Sequence, residues 1–192
     1  MLLVSEKNIS LDDRVTRFVP TFGIFDKHAV TFRHLLNHSS GLPDWKPYYQ
    51  DVLQCELRGQ TKFVASQAAK RHVFTQIHRE APLSPAGQQS LYSDLGFMVL
   101  GEIVEAVSGT TLDRFCQERI FNPLGLRSTS FNDLTRLRTR RIQPVEEMIA
   151  PTEDCPWRKK VLCGEVHDDN AYAVGGVAGH AGLFSSARGI HQ

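Results

Sequence analysis

No apolar run in this 192-residue sequence approaches the roughly 20 residues needed to cross a bilayer. The opening stretch, Met1 to Lys7, also lacks the basic and apolar regions of a secretory leader. An excess of one charge is missing too: 22 Lys and Arg nearly balance 21 Asp and Glu. No net field would draw the chain to nucleic acid or to an anionic membrane surface, so a small molecule is the expected partner. Cysteine is sparse, and Cys55, Cys116, Cys155 and Cys163 form no C-x-x-C pair. Reduced thiols are expected over a disulfide framework or a zinc site, which leans towards a cytoplasmic setting. Internal repeats and low-complexity tracts are absent as well. What is present, 41% hydrophobic and 9% aromatic residues, suffices for one globular core or part of one.

The pattern of apolar residues and breakers gives the elements. Leu11 to Pro20 reads as a turn and connector, after which Thr31 can cap a short helix from Phe32 to His38 that Gly41 and Pro43 end. Thr61 is the expected start of a longer amphipathic helix, with Val64, Ala68, Val73, Phe74 and Ile77 forming an apolar stripe. Pro82, Pro85 and Gly87 mark a loop leading into the most hydrophobic helix, Leu95 to Val107, whose circumference is mostly apolar and which belongs in the core. Gly96 and Gly101 within it suggest that another element approaches the backbone there. Thr111 can cap a further helix, Leu112 to Ile120. From Arg136 to Tyr172 the periodicity fades, and Arg136, Arg138, Arg140 and Arg141 read as a solvated basic face. Val174 to Ala187 alternates small and apolar residues and suits a strand approached closely by a ligand or a second backbone, with no terminal helix after it.

Several separated segments carry chemistry. Tyr92-Ser93-Asp94 stands on the Pro/Gly loop at the mouth of the buried helix. Gly179-His180-Ala181-Gly182-Leu183-Phe184-Ser185-Ser186 lies near the C-terminus, and His34-Leu35-Leu36-Asn37-His38-Ser39-Ser40-Gly41-Leu42 lies earlier. In this order they resemble the class C β-lactamases, related esterases and D,D-peptidases of the serine β-lactamase and penicillin-binding-protein class. The resemblance implies an α/β (α+β) fold, a helical layer packed on an antiparallel sheet, of which residues 1–192 would be an interior fragment of a single catalytic domain supplying the helical part and one strand. Both ends read as cuts within a longer domain. No serine here is followed three residues later by lysine, so the S-x-x-K nucleophile of that class is absent from these residues.

The resemblance also assigns roles. Tyr92 is the proton-transfer group, and a phenol becomes a usable base only beside positive charge. Asp94 stands where Asn is commoner; its carboxylate could hold a lysine ammonium or cap the helix. His180 takes the place of the third-motif lysine, able to donate to a substrate carboxylate. Gly182 keeps the strand open to substrate, and the backbone N–H of Leu183 is an oxyanion donor. Apart from the resemblance, the polar run His167-Asp168-Asp169-Asn170 could suggest a metal site, but such runs are usually loop caps and turns, and it reads as a wall of the cleft with His167 and Asn170 as contacts. His34 and His38 stand four apart, but with Leu35 in place of a glutamate and no third ligand they read as structural. The implied activity is hydrolysis of an amide or ester through an acyl-enzyme, without metal or organic cofactor, by an enzyme of which this chain alone would be inactive. The alternative is a non-catalytic pseudoenzyme that keeps the cleft and binds a ligand.

Overall fold

In the computed structural model, residues 1–59, 62–140 and 148–191 are described. Thr61, Arg141 and Gln192 lie outside the described residues. In chain order the elements are α1 (Leu2–Ser5), α2 (Phe32–Leu36), α3 (Tyr48–Leu57), α4 (Gln67–His78), α5 (Asp94–Ser108), α6 (Leu112–Cys116), β1 (Ser130–Phe131), α7 (Leu134–Arg140), β2 (Asp154–Cys155), β3 (Lys160–Val161), α8 (Asp169–Ala173), β4 (Leu183–Phe184) and α9 (Ala187–His191). They fall into two compact units, Met1–Lys46 with Phe74–Leu112, and Pro47–Val73 with Asp113–Gln192.

The first unit is organised by α5. Leu95, Met98, Val99 and Ile103 are all buried on it, against the buried Phe32 and Leu35 of α2. Each such side chain contributes about 1.5–3 kcal/mol by leaving water. Both ends of α5 are closed by local chemistry. Ser93 Oγ accepts the Gly96 N–H at 3.2 Å, and Gly109 in the left-handed conformation ends the helix. The cap is therefore Ser93, and Asp94 is the first helical residue instead of the cap expected for it. Thr31 caps α2 with its side chain accepting from His34 N–H, while His34 Nδ1 accepts the Thr31 N–H in return.

A polar tie runs through the same unit. The buried ring of His78 is hydrogen-bonded at Nδ1 to Thr21 Oγ1 (2.9 Å) and at Nε2 to Glu102 (2.8 Å). Beside it the buried Lys27 donates to the carbonyls of His78 and Glu80 and lies over the rings of Phe22 and Phe25. Burial pushes the Lys27 amine below its ordinary value, an effect that the nearby Glu80 charge opposes.

In the second unit α3 packs on α8, joined by the Tyr49 N–H donating to Asn170 Oδ1 at 3.0 Å. The sequence pattern does not announce α3, because Tyr48 and Val52 are its only buried residues and two positions make no stripe. Sheet is scarce: β1 pairs antiparallel with β4 (Ser130 opposite Phe184), and β2 with β3. The long strand expected over Val174–Ala187 is reduced to Leu183–Phe184, and α9 follows it where no helix was expected. Glycines break that run. Gly175, Gly176 and Gly182 all have φ near +100°, a conformation that an extended ladder cannot contain.

Helix α4 begins at Gln67, and its buried positions are Ala69, Val73, Phe74, Ile77 and His78; the expected Val73, Phe74 and Ile77 are among them, while Ala69 takes the place of Ala68 at the start. The helix expected over Leu112–Ile120 divides into α6 and a wider π turn, Gln117–Phe121.

Two glycines of the first unit separate packing from propensity. A Cβ on Gly96 would meet Leu35 at 3.7 Å, an ordinary contact; no close approach of backbone requires glycine there. A Cβ on Gly41 would lie 2.0 Å from the Ser84 carbonyl oxygen, at φ +81°. Gly96→Ala should therefore raise unfolding free energy by a few tenths to about 1 kcal/mol, while Gly41→Ala should lower it by about 2 kcal/mol or more. Urea unfolding midpoints check both, and equal shifts for the two variants would contradict this account.

Candidate active site

Tyr92 sits in the first unit with its side chain largely in solvent, 67% exposed. An exposed tyrosine would ordinarily sample several rotamers, yet three contacts from one residue hold its loop. The carbonyl of His38 accepts the Leu91 N–H at 2.9 Å, His38 Nδ1 accepts the Ser93 N–H at 3.1 Å, and the His38 ring lies against the Tyr92 ring with centroids 4.6 Å apart. On its other side the imidazole stacks on Phe97 of α5 at 5.1 Å. Because Nδ1 accepts a backbone proton, the ring proton of neutral His38 resides on Nε2. Ser93 adds a further anchor, its hydroxyl donating to the Pro43 carbonyl at 2.6 Å.

Asp94 is close enough to act on the phenol. Its charge, then partial desolvation, then its hydrogen bond to Tyr92 raise the Tyr92 pKa above the ordinary value. The corner thus favours a neutral phenol, and forming a phenolate there demands a cation from elsewhere. The Asp94 N–H donates to the Asp44 carbonyl at 2.9 Å, fixing the start of α5.

His180 belongs to the second unit and lies ahead of β4 instead of on a strand. Its side chain is only 2% exposed, and Nε2 is hydrogen-bonded to Asp168 at 2.9 Å. Nδ1 is buried with no hydrogen-bond partner among the described residues. Burial pushes the Asp168 carboxyl up, but the hydrogen bond and charge of His180, the Ala171 N–H and the charge of Arg158 outweigh it, so Asp168 is held below its ordinary value. Asp168 also caps α8, accepting the Ala171 N–H at 2.7 Å. The imidazole is thereby locked to the start of α8, and only Nδ1 remains to meet a further group.

Three expectations for the second unit change in the structure. A Cβ on Gly182 would fall 2.2 Å from the Gly176 carbonyl oxygen, so the chain's own packing already demands this glycine. Asn170 is fully buried; its contact with Tyr49 makes it a tie between α3 and α8 and not a wall of the cleft. His167 is exposed, and its ring pairs with Glu153. Leu183 sits in β4 opposite Phe131 with its side chain half exposed. The histidine pair also changes character: α2 ends at Leu36 and His38 adopts φ +59°, so His34 and His38 do not share a helical face, and each Nδ1 already accepts a backbone N–H.

Sequence reasoning missed His38 as the support of Tyr92 and Asp168 as the partner of His180. Neither contact has a local signal, since 54 residues separate His38 from Tyr92 and 12 separate Asp168 from His180 in the numbering. His38→Phe should keep the stacking and lose the acceptor, so the Ser93 amide loses hydrogen-exchange protection by about tenfold. His38→Asn should keep an acceptor and lose the stacking, shifting the Tyr92 ring resonances while Ser93 stays protected. Identical behaviour of the two variants would contradict the clamp. For Asp168 the folded value lies below the unfolded one, so the pair's contribution is present above about pH 4 and is lost as pH falls through the folded value. Asp168→Asn should flatten the decline of stability below about pH 4, measured as urea midpoints against pH; an unaltered slope would exclude this source.

A model of the family described as Beta-lactamase matches residues 1–192. An Escherichia coli (strain K12) protein provisionally named a D-alanyl-D-alanine carboxypeptidase is 35% identical over 201 residues, covering 98% of this chain and 44% of its own length. A Salmonella agona (strain SL483) protein of the same name is 32% identical with the same coverage. The chain thus spans under half the length of these relatives. Among solved structures, a penicillin-binding protein from Bacillus halodurans superposes with a TM-score of 0.67 at 21% identity, over 99% of this chain and 51% of that one. An octameric penicillin-binding protein homologue from Pyrococcus abyssi gives 0.64 at 24% identity, over 99% and 39%. These likenesses show the fold, the α+β arrangement of β-lactamases and transpeptidases with mainly its helical part present. Sequence and fold agree, and the chain belongs to the β-lactamase family of serine hydrolases.

Proposed function

We propose that the protein of which these residues form part hydrolyses an amide or ester through an acyl-enzyme, with Tyr92 moving the proton of a serine nucleophile. The observation that carries this proposal is an exposed phenol whose loop is fixed by His38 and whose hydroxyl lies beside a carboxylate. Acyl transfer needs a proton acceptor that meets solvent-borne substrate yet does not wander, because misplacement by about 1 Å is expensive in rate. The tyrosine meets both demands.

The electrostatics say what else is required. A phenol raised by Asp94 is a poor base alone. A lysine ammonium placed between Tyr92 and Asp94 would favour the phenolate and be held by the carboxylate, the two effects expected of the lysine in an S-x-x-K motif. These 192 residues contain no such serine–lysine pair, so we assign it to the remaining length that the relatives possess. His180, held by Asp168, presents Nδ1 as the one group of its buried ring still able to bond a substrate or an ordered water. The names of the sequence relatives make a peptide ending in D-alanyl-D-alanine the first amide to test, with a simple aryl ester beside it.

In the longer protein, Tyr92→Phe should lower kcat by about two to four orders of magnitude with little change in KM. The unfolding midpoint should remain that of the parent. Mass spectrometry of the quenched parent should show an acyl adduct on a serine followed three residues later by lysine. Unchanged turnover in Tyr92→Phe would refute the role of the phenol, and a longer sequence without S-x-x-K would favour the ligand-binding pseudoenzyme.

A further inference from the structure

The second unit contains a cavity of about 900 Å³ lined in part by Glu56, Lys62, Arg138, Arg158, Lys160 and Tyr172. That volume is in the range of small-molecule sites. Four of those six side chains are cations and one is an anion, an imbalance that the chain as a whole does not share. Part of the excess is neutralised from behind. Arg158 pairs with Asp169 at 2.7 Å and lies 3.9 Å from Glu165, and Lys160 pairs with Glu165. Arg138 and Lys62 have no carboxylate partner among the described residues.

Arg138 is nonetheless fixed. It donates to the Val64 carbonyl at 2.8 Å and to the Tyr172 hydroxyl at 3.1 Å. Arg158 stacks on the same Tyr172 ring, its guanidinium carbon 4.1 Å from the centroid, and on Trp157 at 4.9 Å. Its side chain is 2% exposed, and its Nε is buried with no hydrogen-bond partner among the described residues. Two guanidinium groups gathered about one phenol ring repel each other, and a buried donor without an acceptor costs about 1–3 kcal/mol. An anion in the cavity would relieve the first of these.

The remaining walls define the rest of the ligand. Thr135 and Thr139 line the cavity and spend their hydroxyl protons on the carbonyls of Ala65 and Thr135. Ser66 likewise donates to the Phe63 carbonyl. Each oxygen keeps lone pairs and can accept. Glu56 uses one oxygen on the Val64 N–H at 2.7 Å and can accept at the other. Arg158 is spent on the Val166 and His167 carbonyls and on Asp169, so the cavity offers the planar guanidinium of Arg138 with the Lys62 ammonium for a carboxylate and several acceptors for N–H groups. We propose that it binds a short peptide or N-acyl amino acid through its free carboxylate, with the amide N–H groups donating to the hydroxyl and Glu56 oxygens. The proposal does not depend on the role given to Tyr92.

The test uses this chain and N-acetylglycylglycine, its C-terminal amide and inorganic phosphate. The two indoles, Trp45 and Trp157, serve as internal reporter and control in ¹⁵N-resolved NMR titrations. The acid should move the Trp157 indole resonance with a dissociation constant in the millimolar range and leave Trp45 in place. Replacing the carboxylate by the amide, or Arg138 by Gln, should each weaken binding about tenfold, and raised salt should weaken the acid alone. Lys62→Gln, which removes a cation with no hydrogen bond to the fold among the described residues, should weaken it about threefold and stands in if Arg138→Gln fails to fold. No movement of Trp157, equal binding of acid and amide, or tighter binding of phosphate than of the peptide acid would overturn the proposal.

Discussion

The placement of Tyr92 rests on a histidine that accepts a proton from the backbone instead of giving one. His38 is outside any helix, in a left-handed conformation that few residues with a Cβ adopt. There its carbonyl and its Nδ1 take the N–H groups of Leu91 and Ser93. Those two bonds flank the residue between them and leave its phenol in solvent. The supporting ring is in turn stacked on Phe97, so the loop is referred to the most deeply buried helix of the unit. A loop with Pro82, Pro85 and Gly87 upstream has little regular hydrogen bonding of its own, and so its geometry is borrowed from the backbone of residues 39–44 and, through the His38 imidazole, from α5.

How much of this is legible in the sequence follows from the range of the interactions. The extent of α5 and the Thr31 cap were readable, because caps and apolar periodicity act within a few residues. The long strand over 174–187 was misread for an equally local reason. Alternation of small and apolar residues is shared by strands and by tightly folded glycine loops, and only the positive φ of Gly175, Gly176 and Gly182 separates them. Gly182 shows the same limit at a candidate site residue: a glycine can be demanded by substrate or by its own chain, and the Gly176 carbonyl at 2.2 Å from its missing Cβ is a demand of the chain that no local pattern announces. Asn170 is the polar counterpart. An asparagine in a polar run reads as surface, while its amide serves as a buried acceptor for the first turn of α3, a partner 121 residues away.

The histidines illustrate why residue type alone says little about role. His78 is a buried tie with both ring nitrogens engaged, His38 a positioning ring with one, and His180 a buried ring with one nitrogen held and one unmet. Hydrogen bonding sets His78 apart from the other two, and burial separates the half-buried His38 from His180, whose side chain is closed off from solvent. A fully satisfied imidazole has nothing left to offer a ligand. The unmet Nδ1 of His180 therefore makes it the histidine of the three best suited to meet a group that is not part of the chain.

Charge separates the two regions of interest in the same way. The Tyr92–Asp94 corner carries a carboxylate that opposes ionisation of the phenol, so its chemistry is completed only by an added cation. The cavity around Arg138 and Arg158 has the opposite character: Arg158 is paired with Asp169, but Arg138 is held only by the Val64 carbonyl and the Tyr172 hydroxyl, with no carboxylate partner among the described residues. Neither imbalance is a consequence of overall composition, which is nearly neutral. A fold that only had to be stable would pair such groups internally, as it does for His78 with Glu102 and for Asp168 with His180. Unpaired charge kept in fixed geometry is better explained by something it is built to meet.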